Sequence, residues 1–180
     1  MPADGTRPRP AGSPARWFAD YGEYFAVRAP SVVRLARLQL QDDSAAEDVA
    51  ALVLEKVEKK WRHIRALSAP DAYVRKMLVN ECISHQRKAA RRPEDPVDPG
   101  LLPVVAQPDE SAAVAARDEL RRALLDLPPQ QRAVVVLRYY EEVPDQEIAE
   151  ILGIARVTVR SHALYALTRL RRVLTVDGDA

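Results

Sequence analysis

Apolar residues recur at helical spacing along most of this chain, interrupted by a Pro-rich start and by one acidic, Pro-rich gap. The sharpest pattern lies between Asp145 and Arg172. Ile148, Ile151 and Leu152 mark one short helix, and Gly153 stands where a left-handed residue would end it. Beyond it, Val159, Ala163, Ala166, Leu167 and Leu170 define a second buried stripe. Arg156, Thr158, Arg160, Ser161, His162, Tyr165 and Arg169 fall outside that stripe. A short helix, a glycine turn and a second helix with a polar outer face predict a helix-turn-helix whose second helix enters the major groove. A helical hairpin with a solvated basic face has the same pattern, so the motif alone is a hypothesis.

The rest of the chain reads as helices in two groups. Residues 1–16 predict a disordered tail, since prolines and scattered charges leave nothing to bury. The pattern turns apolar at Trp17, Phe18, Tyr21, Tyr24 and Phe25. A first long helix is expected over 31–41, with Ser31 as cap and Val32, Leu35, Ala36 and Leu40 inward. A second is expected over 45–64, with Ser44 as cap and Glu47 as its capping-box partner. Its inward set is Val49, Leu52, Val53, Val57 and Trp61. A third covers 71–90, with Tyr73, Met77, Leu78 and Ile83 inward. Helical pattern resumes over 111–127 with Val114, Leu120, Leu124 and Leu127 on one side, and again over 130–142 with Ala133, Val134, Leu137 and Tyr140. The expected fold is all-α: two small helical domains, 17–92 and 111–175, joined by the linker 93–110 and followed by a tail at 176–180.

Charge changes this picture through its distribution. The chain of 180 residues has a net charge of only +1, which says nothing about nucleic acid. Residues 55–92 nevertheless hold eleven Lys and Arg against four acids, and 154–174 hold five arginines and no acid. Between them, 93–110 carries five acids, five prolines and no base. Two basic blocks separated by an acidic linker suggest two contacts with one polyanion. The single Cys82 excludes an internal disulfide and fits a reducing cytoplasm as a small hydrophobe. No apolar run approaches the roughly 20 residues that span a bilayer. No Gly-rich phosphate loop, metal-ligand cluster or nucleophile–base pair appears, so no cofactor, no metal and no enzymatic activity are expected. Trp61 and Tyr73 read as core before they read as stacking platforms. Arg121, Arg122 and Arg132 read as solvated partners of Asp118, Asp126 and nearby acids.

Two stretches resemble a known family. LLDLPPQQRAVVVLRYYEEVPDQEIAEILGIARVTVRSHALYALTRLR is similar to the fourth region of bacterial sigma factors, and SAAEDVAALVLEKVEKKWRHIRALSAPDAYVRKMLVNECISHQRKAARR to their second. Their order, with only an acidic linker between, resembles the small extracytoplasmic-function sigma factors. The resemblance implies a promoter-specificity subunit whose partners are RNA polymerase core and promoter DNA, with an anti-sigma factor as a candidate third and no membrane insertion. It implies that Arg156, Thr158, Arg160, Ser161, His162, Tyr165 and Arg169 meet the −35 element. Asn80, His85, Arg87, Lys88, Arg91 and Arg92 would meet the melted −10 element. Glu47, Asp48, Ala51, Leu52 and Glu55 would meet polymerase.

The chain also departs from the family's pattern. Ala51 and Leu52 replace a usual Gln-Glu pair, and Pro144 and Ala155 replace two capping serines. These departures keep two other readings open: a helix-turn-helix regulator working without polymerase, and a sigma-derived interaction protein that has lost core binding.

Overall fold

The structure, a computed structural model, describes residues 18–91 and 112–176. The linker expected at 93–110 and the tail expected at 1–16 lie outside them. Every regular element among the described residues is helical.

Helix α1 spans Tyr21–Gln39, beginning well before the expected Ser31 and ending before Gln41. Asp20 caps it, its carboxylate accepting from the Glu23 N–H at 2.9 Å. Pro30 therefore sits inside the helix, where its ring interrupts the ladder. Aromatic burial offsets that cost. Tyr24 is buried, with Phe18 edge-on at 5.4 Å, and the Tyr21 hydroxyl donates to Leu54 O at 2.9 Å.

Helix α2, Asp43–Lys59, is capped by Asp42 rather than Ser44, because the Asp42 carboxylate accepts the Ser44 N–H at 2.9 Å. The expected run to Ile64 breaks at Lys60, and a separate turn α3, Trp61–Ile64, carries Trp61 onto the rings of Tyr21 and Tyr24 at 6.0 and 5.3 Å. Leu52 was expected inward but is 40% exposed, because the buried stripe runs through Val49, Ala50, Val53, Leu54 and Val57 on the other side.

Helix α4, Pro70–Arg91, is buried on two faces. Val74, Leu78 and Cys82 join the core of α1 and α2, while Val79 and Ile83 join a second core built from the C-terminal half. Tyr73 and Met77 are only half-buried.

Helix α5, Ala112–Leu125, buries Ala123, Leu124 and Leu125 but leaves Leu120 44% exposed, against expectation. Helix α6, Pro129–Val135, passes into one wide π turn, Val136–Tyr140, where Glu141 N–H donates to Val136 O at 3.0 Å. That extra residue rotates Tyr140, expected inward, out to 53% exposure. Glu142 then takes a left-handed φ of 53°. Helix α7, Asp145–Leu152, ends on Gly153 at φ 64°, where the Gly153 and Ile154 N–H groups both reach Ala149 O. Helix α8, Arg156–Val176, buries Val159, Ala163, Ala166 and Leu170 as expected, with Leu167 half-buried.

The two helical units are in contact. Ala123, Leu124, Leu127, Val135, Val136, Ala166 and Leu170 belong to the same apolar cluster as α1, α2 and α4. One cation ties them. Arg132 of α6 was expected in solvent but is 4% exposed, because its guanidinium donates to four backbone carbonyls. Leu124 O and Leu127 O accept at 3.0 and 2.9 Å, Leu125 O also accepts, and Gln39 O at the end of α1 completes the set. These carbonyls lie at or just beyond helix C-termini, where the negative end of each dipole favours a cation. Burial holds the guanidinium below its ordinary pKa. Gln41 to Leu125 O at 3.2 Å, Arg75 to Glu141 and Glu147 at 3.0 and 3.3 Å, and Arg121 to Asp43 add to the seam.

Arg132→Ala should destabilise the chain by about 3–5 kcal/mol in denaturant unfolding, and Arg132→Lys should recover less than half, since an ammonium cannot span a fork of carbonyls. Glu142→Gly should leave stability unchanged or raise it by up to about 1 kcal/mol, the left-handed strain exceeding glycine's entropic cost.

Candidate nucleic-acid and polymerase surfaces

Three exposed faces remain after both cores are filled, and they carry most of the expected residues. On α2, Glu47, Asp48, Ala51, Leu52 and Glu55 are all exposed, opposite the buried stripe. Glu47 pairs with Arg37 at 2.6 Å, and Glu55 pairs with Lys59 one turn on, which holds its carboxyl below the usual range. Ala51 and Leu52 put an apolar step between these carboxylates.

On α4, Asn80, Arg87 and Arg91 recur at steps of seven and four, so they share one exposed stripe with Lys88 beside it. Lys76, exposed one turn before Asn80, extends the stripe. Sequence reasoning passed it over although its spacing marks it. His85, also exposed, turns away and lines a cleft of about 590 Å³ with Leu40, Gln86, Leu125 and Arg132. The structure therefore does not bring His85 together with the other −10 candidates. Arg92 lies outside the described residues.

On α8, Arg156, Arg160, Tyr165 and Arg169 are exposed, and Thr158, Ser161 and His162 are partly so. His162 Nδ1 is buried without a hydrogen-bond partner, leaving only Nε2 for an outside contact. Asp145, in the first turn of α7, lies 3.3 Å from Arg138 and 3.7 Å from Arg160, so Arg160 approaches any phosphate beside a carboxylate. Pro144 supplies no side-chain cap to α7. The helix-turn-helix is thus held by the glycine turn and apolar packing.

These faces suit recognition of a polyanion and of a protein surface. Among the described residues, no group of three or more His, Cys, Asp or Glu is placed to hold a metal, and no helix is long and apolar enough to cross a membrane.

Residues 25–92 match the family described as Sigma-70 region 2, and residues 117–170 match Sigma-70, region 4. An RNA polymerase sigma-E factor of Streptomyces coelicolor is 34% identical over 162 residues, covering 89% of this chain and 90% of its own. The chain belongs to the RNA polymerase sigma factors. The ECF RNA polymerase sigma factor SigM of Mycobacterium tuberculosis is 30% identical over 78% of this chain and 70% of its own. The fold is that of a sigma factor RpoE from Bartonella quintana, solved with the anti-sigma factor NepR, at TM-score 0.66 and 23% identity over 87% of this chain and 98% of that one. This sigma factor is accordingly an all-helical subunit that directs RNA polymerase to specific promoters, in a family that is not enzymatic.

Cys82, deep under α4, is fully buried, and burial pushes its thiol up to about 12. Native protein at pH 8 should resist alkylation and label only on unfolding. Because the folded thiol titrates above the unfolded value of about 8.5, its contribution to stability is complete below that pH and lost as pH rises towards 12. Unfolding midpoints of wild type and Cys82→Ala, followed from pH 7 to 11, should show the steeper alkaline fall in wild type.

Proposed function

We propose that this sigma factor works as two helical domains, 17–92 and 111–175, that divide one promoter between them. The face of α2 docks on polymerase core. The α4 stripe of Lys76, Asn80, Arg87, Lys88 and Arg91, with Arg92 following it, holds the melted −10 strand by its backbone. Helix α8 lies in the major groove of the −35 element, with Arg156, Arg160 and Arg169 on phosphates. The observation that carries this reading is that three exposed faces, each left out of both cores, fall on the residues named for these three contacts.

The geometry adds a requirement. Elements named −35 and −10 are centred roughly 25 base pairs apart, about 85 Å of B-DNA. A folded chain of this size is roughly 40 Å across. In this structure α4 and α7 are joined by Arg75, which pairs with Glu147 of α7. The two halves must part for both elements to be held at once, breaking the Arg132–Gln39 and Arg75–Glu147 contacts. Work at the promoter is by binding, without catalytic chemistry of the chain's own, and takes place in the cytoplasm. A partner like the anti-sigma factors seen with its structural relatives would act by holding the halves together.

The test is run-off transcription with purified core on genomic fragments, together with a core pull-down. We expect promoter-dependent transcripts from wild type. Ala51→Gln with Leu52→Glu should alter core retention severalfold while leaving the fold intact. Core binding absent and no transcript from any fragment would overturn the reading.

A further inference from the structure

The three most exposed of the large apolar side chains among the described residues all stand on α8: Val157, Leu164 and Tyr165, at 68, 64 and 62%. Scattered exposed apolar residues are ordinary. These are not scattered. At about 100° per residue, Val157, Ser161, Leu164 and Thr168 fall within roughly 60° of arc. That arc lies opposite the buried Val159, Ala163, Ala166 and Leu170. They form the crest of the helix. Arg156 and Arg160 lie on one flank, and Thr158, His162, Tyr165 and Arg169 on the other. The residues first named for the −35 element are thus mostly flank residues, and the part that reaches deepest into a groove is apolar.

The polar members of the crest are constrained as well. Ser161 donates its hydroxyl to Val157 O at 3.1 Å, and Thr168 donates to Leu164 O at 2.9 Å. A hydroxyl has one proton. With that proton committed to the helix backbone, Ser161 offers only lone pairs. The crest therefore presents two aliphatic groups and acceptors, with no donor for the N7 and O6 of guanine. An A·T pair shows in the major groove what this surface fits, a thymine methyl group and an adenine amino group.

We propose that Val157 and Leu164 are specificity-determining residues that read thymine methyl groups in the −35 element, with Ser161 accepting from a neighbouring adenine amino group. This rests on the reading that α8 enters the major groove. Five arginines and no acid between residues 154 and 174 make a polyanion the occupant of this face. Val157 and Leu164 are separated by seven residues, about 10 Å along the axis, which is the rise of about three base pairs. The two thymines they meet lie on base pairs about three steps apart.

The experiment uses the chain with polymerase core on a promoter found by run-off transcription. Each −35 thymine is replaced in turn by uracil, which removes only the C5 methyl group, and promoter occupancy is measured by competition. In wild type, uracil at two positions about three steps apart should each weaken binding about fourfold, the worth of one buried methyl group. Val157→Ala should abolish the penalty at one position and Leu164→Ala at the other. Both residues are exposed, so these variants fold. Arg160→Ala should weaken binding and its salt dependence without changing the uracil pattern. Uracil without effect in wild type, or penalties unchanged in both alanine variants, would overturn the proposal while leaving promoter use intact. A wild-type dimer that Leu164→Ala dissolves would also overturn it, the crest then being a self-association face. Failure of wild type to occupy any promoter would instead count against the −35 reading itself.

Discussion

Arg132 holds a cation away from water with no carboxylate in ion-pair contact, and the arrangement of both halves depends on how that is possible. A buried guanidinium is tolerable only where its donors meet oxygen. Here the oxygens are backbone carbonyls at or just beyond the ends of α1 and α5, gathered at one point although the Leu127 N–H, Gln41 and Gln86 also donate to Leu124 O, Leu125 O and Gln39 O. The bonds to Leu124, Leu125 and Leu127 fix the angle between α5 and α6, and the bond to Gln39 sets that pair against α1. Exchange of the arginine for an apolar residue would remove the group that binds carbonyls of both halves at once.

Helix α4 is the second element on which the arrangement turns. It gives Val74, Leu78 and Cys82 to one core and Val79 and Ile83 to the other, yet keeps Lys76, Asn80, Arg87 and Arg91 in solvent. A helix with two buried faces has only one narrow stripe left for function, and on α4 that stripe is basic. The same economy holds on α2 and α8, where the faces opposite the buried stripes carry the charged and apolar side chains that we propose meet polymerase and DNA. Parting the halves to span a promoter would expose Val79 and Ile83, so an open form needs polymerase or DNA surface to compensate the lost burial.

Much of this was legible in the sequence. The helix-turn-helix was fully readable, because Gly153 and the buried stripe of Val159, Ala163, Ala166 and Leu170 are local signals that tertiary packing reinforces. The early start of α1 was not, since Pro30 reads as a stop and only the packing of Tyr21 and Tyr24 on Trp61 overrides it. Arg132 misled for a similar reason. Its neighbours include acids, and nothing local shows that helix-end carbonyls from residues far apart in sequence converge on it. Tyr140 was misplaced because a π turn shifts the helical phase by one residue, which periodicity cannot register. On the functional faces the residue types were readable, but the choice between crest and flank on α8, and the separation of His85 from Asn80 and Arg87, needed the folded helices.

We propose that the chain closes through Arg132 and opens on a promoter. The direct measurement is the distance between two spin labels, at Lys60→Cys closing α2 and Leu174→Cys near the end of α8, both exposed and outside the proposed contacts, in a Cys82→Ala background, in the free chain and in the polymerase–promoter complex. The account predicts a single short distance within the roughly 40 Å of a compact chain when free. It predicts a lengthening by tens of ångströms when both elements are bound. The same short distance in both states would contradict it.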